Sequence, residues 1–292
     1  MNYEGMVYRP PIEANTFLLQ VAIGCAHNKC TYCNMFKDKC FRVLPLDKIE
    51  ESLKLAKQYY KKIERVFLVD GDAFVLKPEI LKSIAALIRK YFPECKTITM
   101  YGSIQNIKSK TIEELKELRE IGINDLYIGI ESGLDEVLLK INKGHTVKEA
   151  IEQLDKLNAA NINHASLIMF GVGGKGKGVE NAKETAKLLN RVKPKIIINA
   201  TLAVFEDTKL YEEVKNGIFV EASELENLIE EKTFLENLEL DETFFWGNHV
   251  SNSTGIAGIV GKDKESMIKK VEDSIENFDE ATFDRPFKGT HL

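Results

Sequence analysis

Apolar and polar positions along this chain follow two rhythms. Short runs in which nearly every residue is apolar alternate with longer stretches carrying apolar residues three and four apart, the signatures of doubly covered strands and of amphipathic helices. The first run, Thr16 to Ile23 (Thr-Phe-Leu-Leu-Gln-Val-Ala-Ile), predicts a buried strand. A helix follows, signalled at its start by Pro45, Asp47 and Glu50 and carried by Ile49, Leu53, Leu55 and Ala56 to about Tyr60. Arg65–Val69 reads as the second strand, Pro78–Tyr91 as a helix and Thr97–Tyr101 as the third strand. The capping box Thr111-Ile-Glu-Glu114 opens the next helix, and Asp125–Ile130 is the fourth strand. Helices over Asp135–Ile141 and Thr146–Ala160, a strand over Ala165–Phe170, a helix over Glu180–Arg191, a strand over Lys195–Leu202 and a short helix after Asp207 complete six βα units.

Strands alternating with helices imply a parallel sheet, and right-handed crossovers curl six such units into a barrel-like or a doubly wound arrangement. In either, ligands sit at the C-terminal ends of the strands. The unusual polar residues fall there: a cysteine-rich loop after the first strand, Asp70-Gly71-Asp72 after the second, Gly102-Ser103 after the third, Glu131-Ser132 after the fourth and the Gly171–Gly178 loop after the fifth. From Val220 the rhythm breaks into a helix capped by Ser223 and Glu226, a Gly/Asn/Ser-rich stretch from Gly247 to Gly261 and a last helix from about Asp263 to Asn277. We expect residues 1–220 to form the core and residues 221–292 a C-terminal cover.

Composition narrows the function classes. A net charge of -5 over 292 residues gives no basic footprint for nucleic acid. The longest apolar candidate for a membrane span, Ile196–Phe205, is interrupted by Asn199 and Thr201, so no membrane role is expected. Val21-Ala-Ile-Gly-Cys25 faintly resembles a lipoprotein cleavage site, but Glu4, Glu13 and Pro10-Pro11 spoil the segment before it as a signal peptide. A cytoplasmic protein with reduced thiols is the expectation, since three of five cysteines cluster instead of forming an even framework.

That cluster is Cys25, Cys30 and Cys33. Three thiolates leave a four-ligand metal centre open, so two readings stand at this point: a zinc knuckle completed by His27 or Cys40, or an iron–sulfur cluster with one free coordination position. Cys40 and Cys95 read as ordinary small side chains. The loop Gly171-Val-Gly-Gly-Lys-Gly-Lys-Gly178 nearly spells a phosphate-binding P-loop, but Gly178 stands where Ser or Thr would hold magnesium, which argues against a nucleotide triphosphatase. Its Lys175 and Lys177 fit a surface turn.

With Tyr32 before the last cysteine, the loop resembles that of the radical S-adenosylmethionine (radical SAM) superfamily, although the gap between Cys25 and Cys30 is one residue longer than is common there. The resemblance implies a partial (β/α)6 TIM-like barrel in which Cys25, Cys30 and Cys33 hold a [4Fe-4S] cluster and S-adenosylmethionine fills the open iron. Asp70-Gly71-Asp72 occupies the place of the family's Gly-Gly-Glu motif, which receives the methionyl ammonium. Tyr127-Ile-Gly-Ile-Glu-Ser-Gly133 looks like the strand-four segment of the elongator-type, methylthiotransferase-type and coproporphyrinogen-dehydrogenase-type branch. That likeness gives Glu131 the ribose hydroxyls and Lys143 the methionyl carboxylate, a helix-end charge being the other reading of Lys143. Gly171 is implied beside the adenine, and Ser103 and Tyr32 join the cofactor-binding set. Asn248-His-Val-Ser-Asn252 resembles a His-x-Ser-Asn segment of some relatives, so His249 is a candidate proton carrier or substrate ligand, or else a structural histidine. The implied activity is reductive cleavage of S-adenosylmethionine and hydrogen abstraction from a small-molecule or peptide substrate, with reduced flavodoxin or ferredoxin as electron donor. A non-catalytic iron–sulfur or zinc protein is the alternative.

Overall fold

Capping side chains set the helix starts that the sequence announces at Thr111 and Ser223, whereas the helices announced at Pro45 and Pro78 start without a side-chain cap. In the computed structural model, which describes residues 3–279, the chain runs through β1 (Phe17–Gln20), β2 (Ala22–Ile23), β3 (Arg42–Val43), α1 (Leu46–Tyr59), β4 (Arg65–Val69), α2 (Pro78–Tyr91), β5 (Thr97–Gly102), α3 (Ile104–Lys108), α4 (Ile112–Glu120) and β6 (Leu126–Glu131). It continues through α5 (Asp135–Lys140), α6 (Val147–Ala159), β7 (His164–Phe170), α7 (Gly178–Val192), β8 (Ile196–Thr201), α8 (Lys209–Lys215), α9 (Glu224–Asn237), β9 (Phe244–Trp246), β10 (Ala257–Ile259) and α10 (Val260–Glu276). Thr111 with Glu114, and Ser223 with Glu226, form the reciprocal boxes the sequence predicts, each satisfying two N–H groups that the first turn leaves without partners.

One local expectation needs correcting, and two further elements go beyond the sequence reading. The run Thr16–Ile23 is not one strand: the Val21 N–H still reaches the Val69 carbonyl at 2.9 Å, but Ala22 and Ile23 leave to pair antiparallel with Val43 and Arg42. Gly24 then takes φ +79°, a left-handed turn that a side chain disfavours, and swings the chain into the cysteine loop. Helix α3 forms in residues that the sequence reading leaves unassigned between the third strand and the Thr111 box, because Ser103 and Asn106 make a capping box with Asn in the place of the usual Glu. Within the Gly/Asn/Ser-rich stretch 247–261, Ala257–Ile259 form β10. The part of the expected C-terminal cover beyond residue 279 lies outside the described residues.

The chain folds as two compact units. One comprises the chain up to Asn28, Phe36–Ile128 and Gln153–His164; the other comprises Lys29–Met35, Gly129–Glu152 and the described chain from Ala165. In the first, β1, β4 and β5 are parallel, with Leu18 opposite Phe67 and Phe67 opposite Thr99, and the start of β6 extends the ladder through Tyr101 opposite Tyr127. Val66 to Val69 are all buried, as a parallel strand covered on both faces requires. Ile49, Leu53 and Ala56 on α1, and Leu81, Ile84, Ala85 and Ile88 on α2, are the buried stripes of those helices.

In the second unit β7 and β8 are parallel from Ala165 opposite Ile196 to Phe170 opposite Thr201, β9 joins β8 parallel, and β10 closes antiparallel on β9. Phe234 of α9 packs edge-on against Phe170 at 5.6 Å and tilted against Phe245 at 6.2 Å, which seats that helix on the β7–β9 face. No helix among the described residues is long and apolar enough to cross a membrane.

At the N-terminal ends of the first unit's strands, the buried Glu13 accepts from the Arg65 guanidinium at 2.6 Å and from the Tyr127 hydroxyl at 2.6 Å, and Arg65 also reaches Asp125 at 2.7 Å. Burial alone would raise the Glu13 pKa, but the hydrogen bonds from Arg65, Thr16 and Tyr127 outweigh it and hold the carboxyl below its ordinary value. A carboxyl whose pKa is lowered by folding stabilises the fold above its unfolded pKa, and the contribution disappears as pH falls through the folded pKa. Glu13→Gln should therefore lower stability by about 2–4 kcal/mol at pH 7, with the gap to wild type closing below about pH 4, as urea unfolding followed by circular dichroism will measure.

Candidate metal and cofactor site

In the first unit, the turn that carries Cys25 is bracketed by the motif after β4. The Gly24 N–H points to Asp70 Oδ2 at 3.4 Å, and the Ala26 N–H donates to Asp72 Oδ1 at 2.9 Å. The two carboxylates thus hold the backbone on either side of Cys25. A Cβ on Gly71 would stand 2.8 Å from the Cys25 Cβ and 2.7 Å from the Phe36 ring, so only glycine fits there. Asn28, with φ +40°, closes the loop by donating to the Phe36 carbonyl at 2.7 Å. Burial pushes Asp70 up to about 6, against the opposing pull of Lys39, the Gly24 N–H and Gln20. Its other oxygen, Oδ1, is buried with no hydrogen-bond partner among the described residues, an acceptor available to a bound donor.

Ser103 is occupied as a helix cap: its hydroxyl accepts from Asn106 N at 3.2 Å. Lys110, which the sequence does not single out, is buried over the Phe74 ring and donates to the Phe74 carbonyl at 2.7 Å, tying the turn after Asp72 to the end of α3. Burial pulls its pKa down to about 8.

In the second unit, backbone bonds stitch the rest of the cysteine loop in place. The Thr31 N–H reaches the Ile141 carbonyl at 3.0 Å, the Thr31 carbonyl accepts from Leu210 N at 2.9 Å, and Asn142 donates to the Lys29 carbonyl at 3.1 Å. Cys30 and Cys33 pack against an apolar cluster that includes Tyr32, Val137, Leu138, Ile141 and Met169. Beside them, Glu131 ends β6 at φ +64° and pairs with Lys143 at 2.7 Å. A Cβ on Gly129 would sit 2.6 Å from both charged groups, so glycine there clears the space they occupy. Burial, then the charge of the neighbouring Glu131, push the Tyr32 phenol well above its ordinary pKa. Burial would lower Lys143, but Glu131 and negative charge at Cys30 and Cys33 win, leaving the ammonium charged. Tyr32, Cys30, Cys33, Glu131 and Lys143, chosen from sequence, come together, Tyr32 and Glu131 buried and the two cysteines and Lys143 half-buried.

Gly171, with φ +75°, ends β7, and its N–H donates to Glu230 of α9 at 2.9 Å. Lys177 pairs with Glu136 and Glu180 on the exposed surface, in keeping with the surface-turn reading. His249 Nδ1 lies 2.8 Å from the Ser251 hydroxyl and 3.2 Å from the Ser251 N–H. Ser251 Oγ itself accepts the Thr201 N–H at 3.0 Å, so its proton is directed to the ring, and this network assigns the imidazole proton to Nε2. Burial lowers the His249 pKa, so the ring is neutral at pH 7 and presents an N–H donor. Asn252 completes the end of β8, accepting from Thr201 Oγ1 at 3.0 Å and donating to the Gly247 carbonyl at 2.8 Å.

None of the five cysteines forms a disulfide. Among the described residues no group of three or more Cys, His, Asp and Glu side chains stands in metal-ligating geometry, so the fit of a cofactor rests on the donor set and its surroundings. Those suit a cluster: two soft thiolate donors lie against an apolar wall, the third donor's turn is shaped by Gly71, and the buried acceptor Asp70 Oδ1 suits the ammonium of an amino-acid ligand.

Comparison with known proteins agrees. The sequence pattern of the radical SAM superfamily matches residues 19–189. The heme chaperone HemW of Bacillus subtilis is 25% identical over 169 residues, which are 55% of this chain and 44% of that protein. The chain thus spans less than half the length of that relative. Archaeal Elp3 of Methanocaldococcus infernus superposes with a TM-score of 0.55 at 14% identity over 87% of this chain and 63% of its own. Coproporphyrinogen III oxidase (HemN) of Escherichia coli, described as a radical SAM enzyme, does so with 0.53 at 15% identity over 88% and 69%. Those two likenesses show the fold, a partial parallel α/β barrel, and the match over more than half the chain shows the family: this protein belongs to the radical SAM superfamily, whose cofactors are a [4Fe-4S] cluster and S-adenosylmethionine.

Proposed function

We propose that Cys25, Cys30 and Cys33 hold the [4Fe-4S] cluster and that the chain uses S-adenosylmethionine to abstract a hydrogen atom from a small-molecule or peptide substrate. The observation that carries this reading is the largely buried Glu131–Lys143 pair at 2.7 Å beside Tyr32, which lies between two of the cysteines. A structural zinc knuckle has no use for a buried ion pair at its edge, whereas an amino-acid and ribose ligand needs both signs of charge. Held by Cys25, Cys30 and Cys33, such a cluster would supply the electron for reductive cleavage of bound S-adenosylmethionine.

The chain's own residues bind, orient and exclude water. Lys143 offers its ammonium to the methionyl carboxylate and Glu131 its carboxylate to the ribose hydroxyls, each exchanging one buried partner for another. Asp70 and Asp72 hold the Cys25 turn, and Asp70 Oδ1 accepts from the methionyl ammonium. Gly171 lets the backbone approach the adenine. The apolar wall at Cys30 and Cys33 keeps water from a reactive carbon radical. His249 Nε2–H serves as donor to substrate, and the segment from residue 221 covers the site. Radical SAM enzymes need an electron donor; reduced flavodoxin or ferredoxin fits a cytoplasmic protein, and no nucleic acid or membrane partner is proposed. The HemW likeness supports a second reading, heme carriage on the same core, which a Soret band on adding heme would reveal.

Anaerobically reconstituted protein given dithionite and S-adenosylmethionine should release 5'-deoxyadenosine, measured by mass spectrometry, and Cys30→Ala should abolish the product. An intact cluster without product would sink the reading. Glu131→Gln removes a charge-assisted contact worth about 1.5–3 kcal/mol, so S-adenosylmethionine should bind roughly 10- to 100-fold more weakly in equilibrium dialysis, while iron content per chain is retained.

A further inference from the structure

A carboxylate far along the chain from every residue so far assigned to the cofactor is wired to two of them. Glu230, on α9, is 1% exposed. Its Oε2 accepts the Gly171 N–H at 2.9 Å, and its Oε1 accepts from Asn181 Nδ2 of α7 at 2.6 Å. The other end of Asn181, Oδ1, accepts the Ser132 hydroxyl, and Ser132 Oγ in turn takes the Leu134 N–H at 3.0 Å. Thr185, one turn beyond Asn181, accepts the Gly133 N–H at 2.8 Å. Ser132, Asn181 and Thr185 are themselves at most 2% exposed.

The turn these bonds fix is the one that presents Glu131. Glu131 stands at φ +64°, and Gly133 follows it so close to α7 that a Cβ there would lie 2.4 Å from the Glu184 and Thr185 backbone. The exits of β6 and β7 are therefore joined through Asn181 to one carboxylate on a helix of the C-terminal segment. Burying an ionised carboxylate is costly, and Glu230 makes no ion pair among the described residues. Burial pushes its pKa up to about 7, while the Asn181 and Gly171 donors pull against that rise. Two amide donors converging on it are what an acid can accept and what a neutral isostere cannot.

We propose that Glu230 is a positioning residue for the nucleoside half of S-adenosylmethionine, holding the Gly171 backbone and the Glu131 turn in the spacing that the bound ligand requires. The inference rests on the reading of Glu131 and Gly171 given above. It makes the C-terminal segment part of the cofactor site in a specific way: α9 sets the geometry of groups that touch the ligand without touching it.

The network prescribes its own test. In Glu230→Gln the new amide group presents one acceptor and one donor to two donors. If Asn181 flips to accept from it, the hydroxyl protons of Ser132 and Thr185 lose their acceptor, so at least one bond is lost in either arrangement. In the double variant Asn181→Asp with Glu230→Gln every bond is restored: the amide introduced at position 230 accepts from Gly171 and donates to the carboxylate introduced at position 181, whose second oxygen accepts from Ser132. One lost buried bond predicts S-adenosylmethionine affinity of the reconstituted E230Q protein weakened about tenfold, with unchanged iron content and an unchanged spectrum of the reduced cluster before ligand is added. The double variant should return to within about twofold of wild type. In the cluster-free chain, hydrogen exchange at the Gly171 and Gly133 amides should quicken in E230Q and recover in the double variant, a readout that does not depend on the cofactor. Wild-type affinity in E230Q, or failure of the double variant to recover, would overturn the proposal. If wild type itself bound no S-adenosylmethionine, the cofactor reading would fall, and the exchange experiment would still decide whether Glu230 tethers the two turns.

Discussion

The buried Glu131–Lys143 pair is the constraint around which the second unit's part of the site is arranged. At 2.7 Å and largely out of solvent, the pair must recover a desolvation cost through close geometry, and removing either partner leaves a stranded charge. Much of the local backbone serves it. Glu131 accepts a left-handed conformation at the end of β6, Gly129 leaves the volume the two groups fill, and Tyr32 stands beside Glu131 from between two cysteines. An ion pair of this kind is a poor stabiliser compared with an apolar replacement, so its presence at a strand end beside thiolates points to ligand recognition.

The fold is largely legible in the sequence because most elements carry a local cause. Pro78 at the first position of α2, the Thr111 and Ser223 boxes, and the apolar runs Val66–Val69 of β4 and Leu167–Phe170 of β7 each act through neighbours in sequence. Where expectation and structure part, the cause is tertiary. Nothing in Thr16–Ile23 marks Val21 as the residue where the strand changes partners, because the event depends on Val69 on one side and Leu44 on the other. Likewise β9 and β10, three residues each, pair with each other and with β8 and have no pattern long enough to show a period.

The site divides along the same line. The cysteines, Gly71, Glu131 and Gly171 are visible because unusual residue types stand at strand ends, where parallel folds place ligands. Asp70 and Asp72 are visible as acids, but not that both bracket the Cys25 turn through backbone N–H groups. Glu230 and Asn181 give no signal at all: polar residues on α9 and α7 look like solvated helix faces, and only the packing of Phe234 against Phe170 shows that the Glu230 side of α9 turns inward. His249 stands out as a histidine in a polar loop, yet its tautomer and its place at the end of β8 come from Ser251 and Thr201.

In the proposed reading the chain supplies three thiolates and leaves one iron for an amino-acid ligand. The most direct measurement is electron paramagnetic resonance on the reconstituted, dithionite-reduced protein, with the spectrum recorded before and after S-adenosylmethionine labelled with nitrogen-15 at the methionyl amine. A cubane signal that shifts on addition and shows hyperfine coupling to that nitrogen is the predicted result. A protein that retains zinc instead of iron, or a cluster signal indifferent to the ligand, would contradict the account.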